Sequence, residues 1–122
     1  MKVAIIKYNA GNVRSVTNAL RRQGVEPVIS DDKETLLASD KVIFPGVGQA
    51  STAMEYLQRK ELDKLIPHLK MPFLGVCLGL QLMCEHTEEN DTPCLGVFPL
   101  QVKKFSEGKK VPHMGWNTID HF

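Results

Sequence analysis

The sequence predicts an α/β domain in which a mostly parallel sheet is covered by helices on both faces. Three observations carry this expectation. Short continuous apolar runs (VAII at 3–6, VIF at 42–44, FLGV at 73–76) suit strands buried on both sides. Segments with helix-spaced apolar residues and capping candidates lie between them. Glycine-bearing turns end two of the runs abruptly, PGVG at 45–48 and GVCLG at 75–79. Strand and helix in alternation argue for parallel pairing.

Each element has its own local reason. Residues 3–6 make the first strand. Asn12 is a candidate cap for a helix that puts Val13, Val16 and Leu20 on one face, and Gly24 ends it. Residues 25–29 make a second strand, interrupted by Pro27 and so expected near a sheet edge. Asp31 or Asp32 caps a short helix through Leu37, and residues 42–44 form the third strand. Ser51 is a candidate cap for a helix through Leu57, with another over 62–69. The fourth strand spans 73–76 and a helix follows over 79–86. Beyond Glu85 the stretch EHTEENDTP is polar and turn-rich, and residues 94–105 and 109–122 suggest short strands with turns.

Composition narrows the function classes. A chain of 122 residues that is 43% hydrophobic suits one domain with a modest core. With 15 basic and 14 acidic residues the net charge is +1, which gives no electrostatic case for nucleic acid or an anionic membrane as partner. No apolar run approaches the roughly 20 residues that span a bilayer, and MKVAIIKYNAGN suits a first strand rather than a signal peptide. Cys77, Cys84 and Cys94 are odd in number and lack CxxC spacing, so free thiols in a reducing cytoplasm are expected. His68, His86, His113 and His121 show no metal-ligand spacing, and neither a metal nor a cofactor is expected.

The chemistry concentrates at Gly75-Val-Cys77-Leu-Gly79, a nucleophile elbow with cysteine in the central place. Such a turn from strand to helix strains the central residue, and glycines on either side remove Cβ atoms that would collide. The side chain then stands at the C-terminal edge of the sheet, where open α/β folds bind ligands. It also stands at a helix N-terminus, whose positive dipole end favours negative charge. The Leu78 N–H is placed to face an oxyanion, and the glycine-rich loop with Val47 and Gly48 offers further backbone donors. An ordinary buried cysteine in a Gly-containing turn fits the pentapeptide about as well; the second loop at a matching strand end favours a shared site. Cys84, seven residues after Cys77, falls near the same helical face and suits packing, as does Cys94.

GVCLGLQ, with PGVG upstream, resembles the class I glutamine amidotransferases, whose core is a doubly wound α/β domain. YNAGN at 8–12 and PHMGWN at 112–117 are similar to the branch of that family serving imidazole glycerol phosphate synthase. The resemblance runs along the whole chain in order. It implies Cys77 as nucleophile and the N–H groups of Leu78 and of Val47 or Gly48 as oxyanion hole. Gly48, Gln81 and Glu89 correspond to positions that contact glutamine. Asn12, His113, Met114, Gly115, Trp116 and Asn117 correspond to positions facing a (β/α)8-barrel cyclase, which receives the ammonia in histidine biosynthesis. Trp116 also suits a core aromatic in a turn.

One departure matters. The family's catalytic His and Glu lie in a C-terminal FHPE-like stretch, and no histidine here is followed by Pro-Glu. His86 is expected at the end of the elbow helix, roughly 10 Å or more from Cys77 along its axis. The expectation is therefore a single domain over residues 1–122 that is only the N-terminal portion of the family's fold, with an open sheet edge and negligible glutamine turnover by itself. The alternatives left open are a DJ-1/PfpI-like cysteine hydrolase and a non-catalytic partner-binding module.

Overall fold

The computed structural model describes residues 1–120. Four strands, β1 (Val3–Ile6), β2 (Val28–Ser30), β3 (Lys41–Phe44) and β4 (Phe73–Gly75), form one sheet in the order β2-β1-β3-β4, every pair parallel. Parallel neighbours need crossovers. These are α1 (Val13–Arg22), α2 (Lys33–Leu37), and α3 (Ala50–Arg59) with α4 (Leu62–Leu65), the last continuing as a 3-10 turn, Ile66–His68. The elbow helix α5 (Leu78–Met83) follows β4.

The register explains the core. Ala4 pairs with Val42, and Ile6 shares its face two residues on. Both, with Phe44, are buried against Leu36, Leu57, Leu62 and Leu82 of α2 to α5. The opposite face carries Ile29, Ile5, Ile43 and Leu74 side by side. There α1 gives partial cover: Leu20 borders a groove with Val3, Ile43 and Leu74, and Leu74 stays 57% exposed. Helices thus lie on both faces, but unequally.

After α5 the chain builds a small second sheet from β5 (His86–Thr87), β6 (Thr92–Pro93) and β7 (Gln101–Val102), antiparallel for β5/β6 and parallel for β5/β7.

Several expectations are corrected. Asn12 precedes α1 in the left-handed region, φ 82°, and its side chain makes no capping bond. Asp32, by contrast, caps α2 by accepting from the Thr35 N–H at 2.8 Å. Ser51 lies inside α3, whose N-cap is Gln49. The second strand starts at Val28, after Pro27, and is an edge strand as expected. α5 ends at Met83, so His86 lies on a strand and not on the elbow helix. Residues 103–120 contain no strand and are exposed throughout; Trp116 is fully exposed and packs in no core. His121 and Phe122 lie outside the described residues. Among the described residues no helix is long and apolar enough to cross a membrane, and no group of three or more His, Cys, Asp or Glu side chains could hold a metal ion.

Candidate active site

Cys77 sits between β4 and α5 with φ 52° and ψ −118°, a conformation that L-residues rarely adopt, and its side chain is exposed. The turn is held by close packing. A Cβ at Gly79 would overlap the Phe44 carbonyl oxygen, and one at Gly75 would come within 2.6 Å of the Met83 sulfur. Only glycine lets the start of α5 lie this near the end of β3. The strain at Cys77 is imposed by its surroundings, as expected where a backbone outlier serves a site.

The loop after β3 lies directly beside the elbow. Val76 N–H donates to the Phe44 carbonyl at 3.0 Å, and Leu78 N–H donates to the Gly46 carbonyl at 3.1 Å. The second bond departs from expectation: the Leu78 N–H, assigned to an oxyanion, is occupied by a carbonyl of the neighbouring loop. Val47 and Gly48 are exposed, and neither N–H has a partner among the described residues. Gly48 has φ 123°, with open space where a Cβ would stand.

The YNAGN loop braces this region. Tyr8 is buried, donates its hydroxyl to the Pro45 carbonyl and packs against the Phe44 ring at 5.1 Å. Burial pushes its phenol well above the ordinary tyrosine range. Asn9 donates to the Thr52 carbonyl at 3.0 Å, and Gly11 faces the Val47 side chain. Sequence reasoning misses Tyr8 as a site neighbour; its place directly after an apolar strand, level with PGVG, is the signal that could have found it.

Gln81 lies one turn into α5, its N–H donating to the Cys77 carbonyl at 3.1 Å. Its side chain lines a cleft with Thr87, Glu88, Glu89, Val102, Lys103 and Lys104. Glu89 accepts from the Ala50 N–H at 3.1 Å at the start of α3, two residues beyond Gly48. Cys77, Val47, Gly48, Gln81 and Glu89 thus gather at one end of the sheet; Gln81 and Glu89 line the cleft, and Cys77, Val47 and Gly48 lie outside its lining.

Among the described residues no hydrogen bond links Cys77 to a histidine: His86 pairs with Asp91 at 2.6 Å, His68 with the Lys64 carbonyl, and His113 with Asn117. Cys84 is buried and Cys94 half-buried, and burial raises both thiols, consistent with packing.

An exposed cysteine at a strand-to-helix turn thus stands beside a glycine-rich loop at the ends of two adjacent parallel strands of an α/β domain. The glutamine amidotransferase class-I family profile matches residues 4–120, and the chain belongs to that family. Among curated proteins it is 60% identical over 122 residues to one from Bacteroides fragilis named imidazole glycerol phosphate synthase subunit HisH, covering 98% of this chain and 62% of that protein. A protein of the same name from Idiomarina loihiensis is 45% identical over 120 residues, covering 98% of this chain and 61% of that one. A solved glutamine amidotransferase structure superimposes with a TM-score of 0.65 at 26% identity, covering 88% of this chain and 59% of that one. The chain thus spans about 62% of the length of the first curated relative it matches.

Proposed function

We propose that residues 1–122 are the N-terminal portion of one amidotransferase domain, acting in the cytoplasm as part of the glutaminase subunit of imidazole glycerol phosphate synthase. The observation that carries this reading is Cys77, exposed at φ 52° beside the unpartnered Val47 and Gly48 N–H groups. The names of the relatives support it, and membership of the family disfavours a PfpI-like hydrolase.

In this reading the Cys77 sulfur attacks the side-chain carboxamide carbon of glutamine. The carbonyl π bond opens to an oxyanion held by backbone N–H groups of Leu78 and of Val47 or Gly48. The tetrahedral species collapses, the C–N bond breaks, and ammonia leaves with an added proton. Water then cleaves the γ-glutamyl thioester, releasing glutamate and restoring the thiol. Gly48, Gln81 and Glu89 hold the substrate. Ammonia passes to a (β/α)8-barrel cyclase docked on Asn12 and on His113, Met114, Gly115, Trp116 and Asn117, where exposed apolar side chains suit a protein partner. The proton transfers need a base oriented by a carboxylate. Among the described residues none is hydrogen-bonded to Cys77, and in this reading these residues alone turn over negligible glutamine.

Because the Leu78 N–H holds the Gly46 carbonyl, the Gly46–Val47 peptide has to rotate before the oxyanion can be held. Binding of the partner and its ligand is the differential contact that favours the rotated state. The test is alkylation of Cys77 by iodoacetamide with and without L-glutamine. Glutamine slows the labelling if the reading is right. Equal rates at millimolar glutamine would refute it.

A further inference from the structure

We propose that Tyr8 is a positioning residue for the loop Pro45-Gly46-Val47-Gly48: its hydroxyl pins the Pro45 carbonyl and confines rotation to the next peptide, Gly46–Val47. The proposal rests on reading that loop as the oxyanion loop.

The argument starts from strand geometry. Successive carbonyls of an extended chain point to alternate sides. Leaving β3, the Phe44 and Gly46 carbonyls both point toward β4 and the elbow, where Val76 and Leu78 N–H groups meet them. The Pro45 carbonyl between them points the other way, toward β1. The β1–β3 register ends at Ile5 with Ile43; the Lys7 N–H, on the alternate side of its strand, continues the β1–β2 ladder to the Ser30 carbonyl at 2.9 Å, and among the described residues no main-chain N–H donates to the Pro45 carbonyl. The Tyr8 hydroxyl fills that place.

Pro45 is fully buried, so its carbonyl would lose water without a replacement if the phenol were absent. Tyr8 is itself fixed by the Phe44 ring. Its hydroxyl also dictates the next residue, because a Cβ at Gly46 would overlap the phenolic oxygen. The loop is therefore gripped on both sides by unlike bonds. The Tyr8 bond holds the Pro45–Gly46 peptide and survives a rotation of Gly46–Val47. The Leu78 bond does not. Tyr8 is thus the fixed end about which the oxyanion loop turns.

The test is amide hydrogen exchange by NMR on this chain and its Tyr8→Phe variant, which keeps the ring against Phe44. Leu78 should exchange about 2- to 10-fold faster, the range that loss of one buried hydrogen bond sets, while Val76 and the β1–β3 amides keep their protection. Unchanged Leu78 exchange would overturn the proposal. So would an equal rise at every ladder amide, which marks a merely structural tyrosine. A second measurement covers a poorly folded Gly46→Ala: its loss of Tm should be smaller in the Tyr8→Phe background, and an equal loss in both would place the hydroxyl elsewhere. If glutamine fails to protect Cys77 in the parent chain while the exchange result holds, the amidotransferase reading fails and the pin on Pro45 stands.

Discussion

The elbow end of the sheet and the stretch after β7 carry the two most telling motifs of this chain, and they are opposites. At the elbow, Gly75, Gly79 and Gly46 are each required by a neighbouring atom: the Met83 sulfur, the Phe44 carbonyl and the Tyr8 hydroxyl. In residues 112–117 nothing among the described residues buries the large apolar side chains, and Met114 and Trp116 are 81% and 102% exposed. The elbow is determined by internal packing. PHMGWN has no internal reason to be apolar, and such exposure is what an interaction surface looks like before it is covered.

The sharpest way to break this contrast is Gly79→Ala. Its Cβ meets backbone rather than a yielding side chain, so the loss should be about 3 kcal/mol or a failure to fold, read by thermal denaturation. Gly48→Ala, with open space but φ 123°, should cost only about 1 kcal/mol. Equal losses would mean that packing does not set the elbow.

Cys77→Gly should raise stability by about 1 kcal/mol, since relief of the strained φ outweighs the extra freedom of glycine in the unfolded chain. A lower Tm would show that the thiol is held by contacts rather than against strain.

Away from the site, Asp31 lies below the ordinary carboxylate range, chiefly because it accepts from the Tyr56 hydroxyl at 2.7 Å, with Lys60 assisting against some desolvation. The depressed value means its contribution is full above the unfolded pKa of about 3.8 and is lost as pH falls through the lower folded value. Asp31→Asn should therefore lower stability at neutral pH by a few tenths of a kcal/mol and flatten the acid limb of a Tm–pH profile. An unaltered limb would contradict the assignment.

The smallest effect belongs to Trp116→Ala, within about 0.5 kcal/mol of the parent. As the chain's one tryptophan, Trp116 should be quenched by acrylamide as readily in the folded protein as in urea. Protection from quenching would show that the stretch is packed after all.

What was legible in the sequence was local. β1, β3 and β4 follow from continuous apolar runs, and the α2 cap is narrowed to Asp31 or Asp32, of which the structure selects Asp32. What was hidden depends on distant atoms. Ala50 starts α3 because Glu89, 39 residues on, takes its N–H. Asn12 is left-handed in a loop whose Gly11 faces Val47, so its side chain does not cap. β5 arises from a polar stretch because Gln101 and Val102 return beside it. For the site, Cys77 and its glycines were visible as a motif, whereas the occupation of the Leu78 N–H by Gly46 needs the loop's three-dimensional path.

The parallel pairing of Val42 with Phe73 closes a loop of about 30 residues through α3 and α4, and contacts so far apart in sequence form slowly. Until β3 and β4 meet, nothing forces Cys77 out of ordinary backbone geometry. A backbone distortion that forms beyond the folding barrier would make Cys77→Gly lengthen the native lifetime and leave the refolding rate nearly untouched; faster refolding of that variant would place the distortion before the barrier.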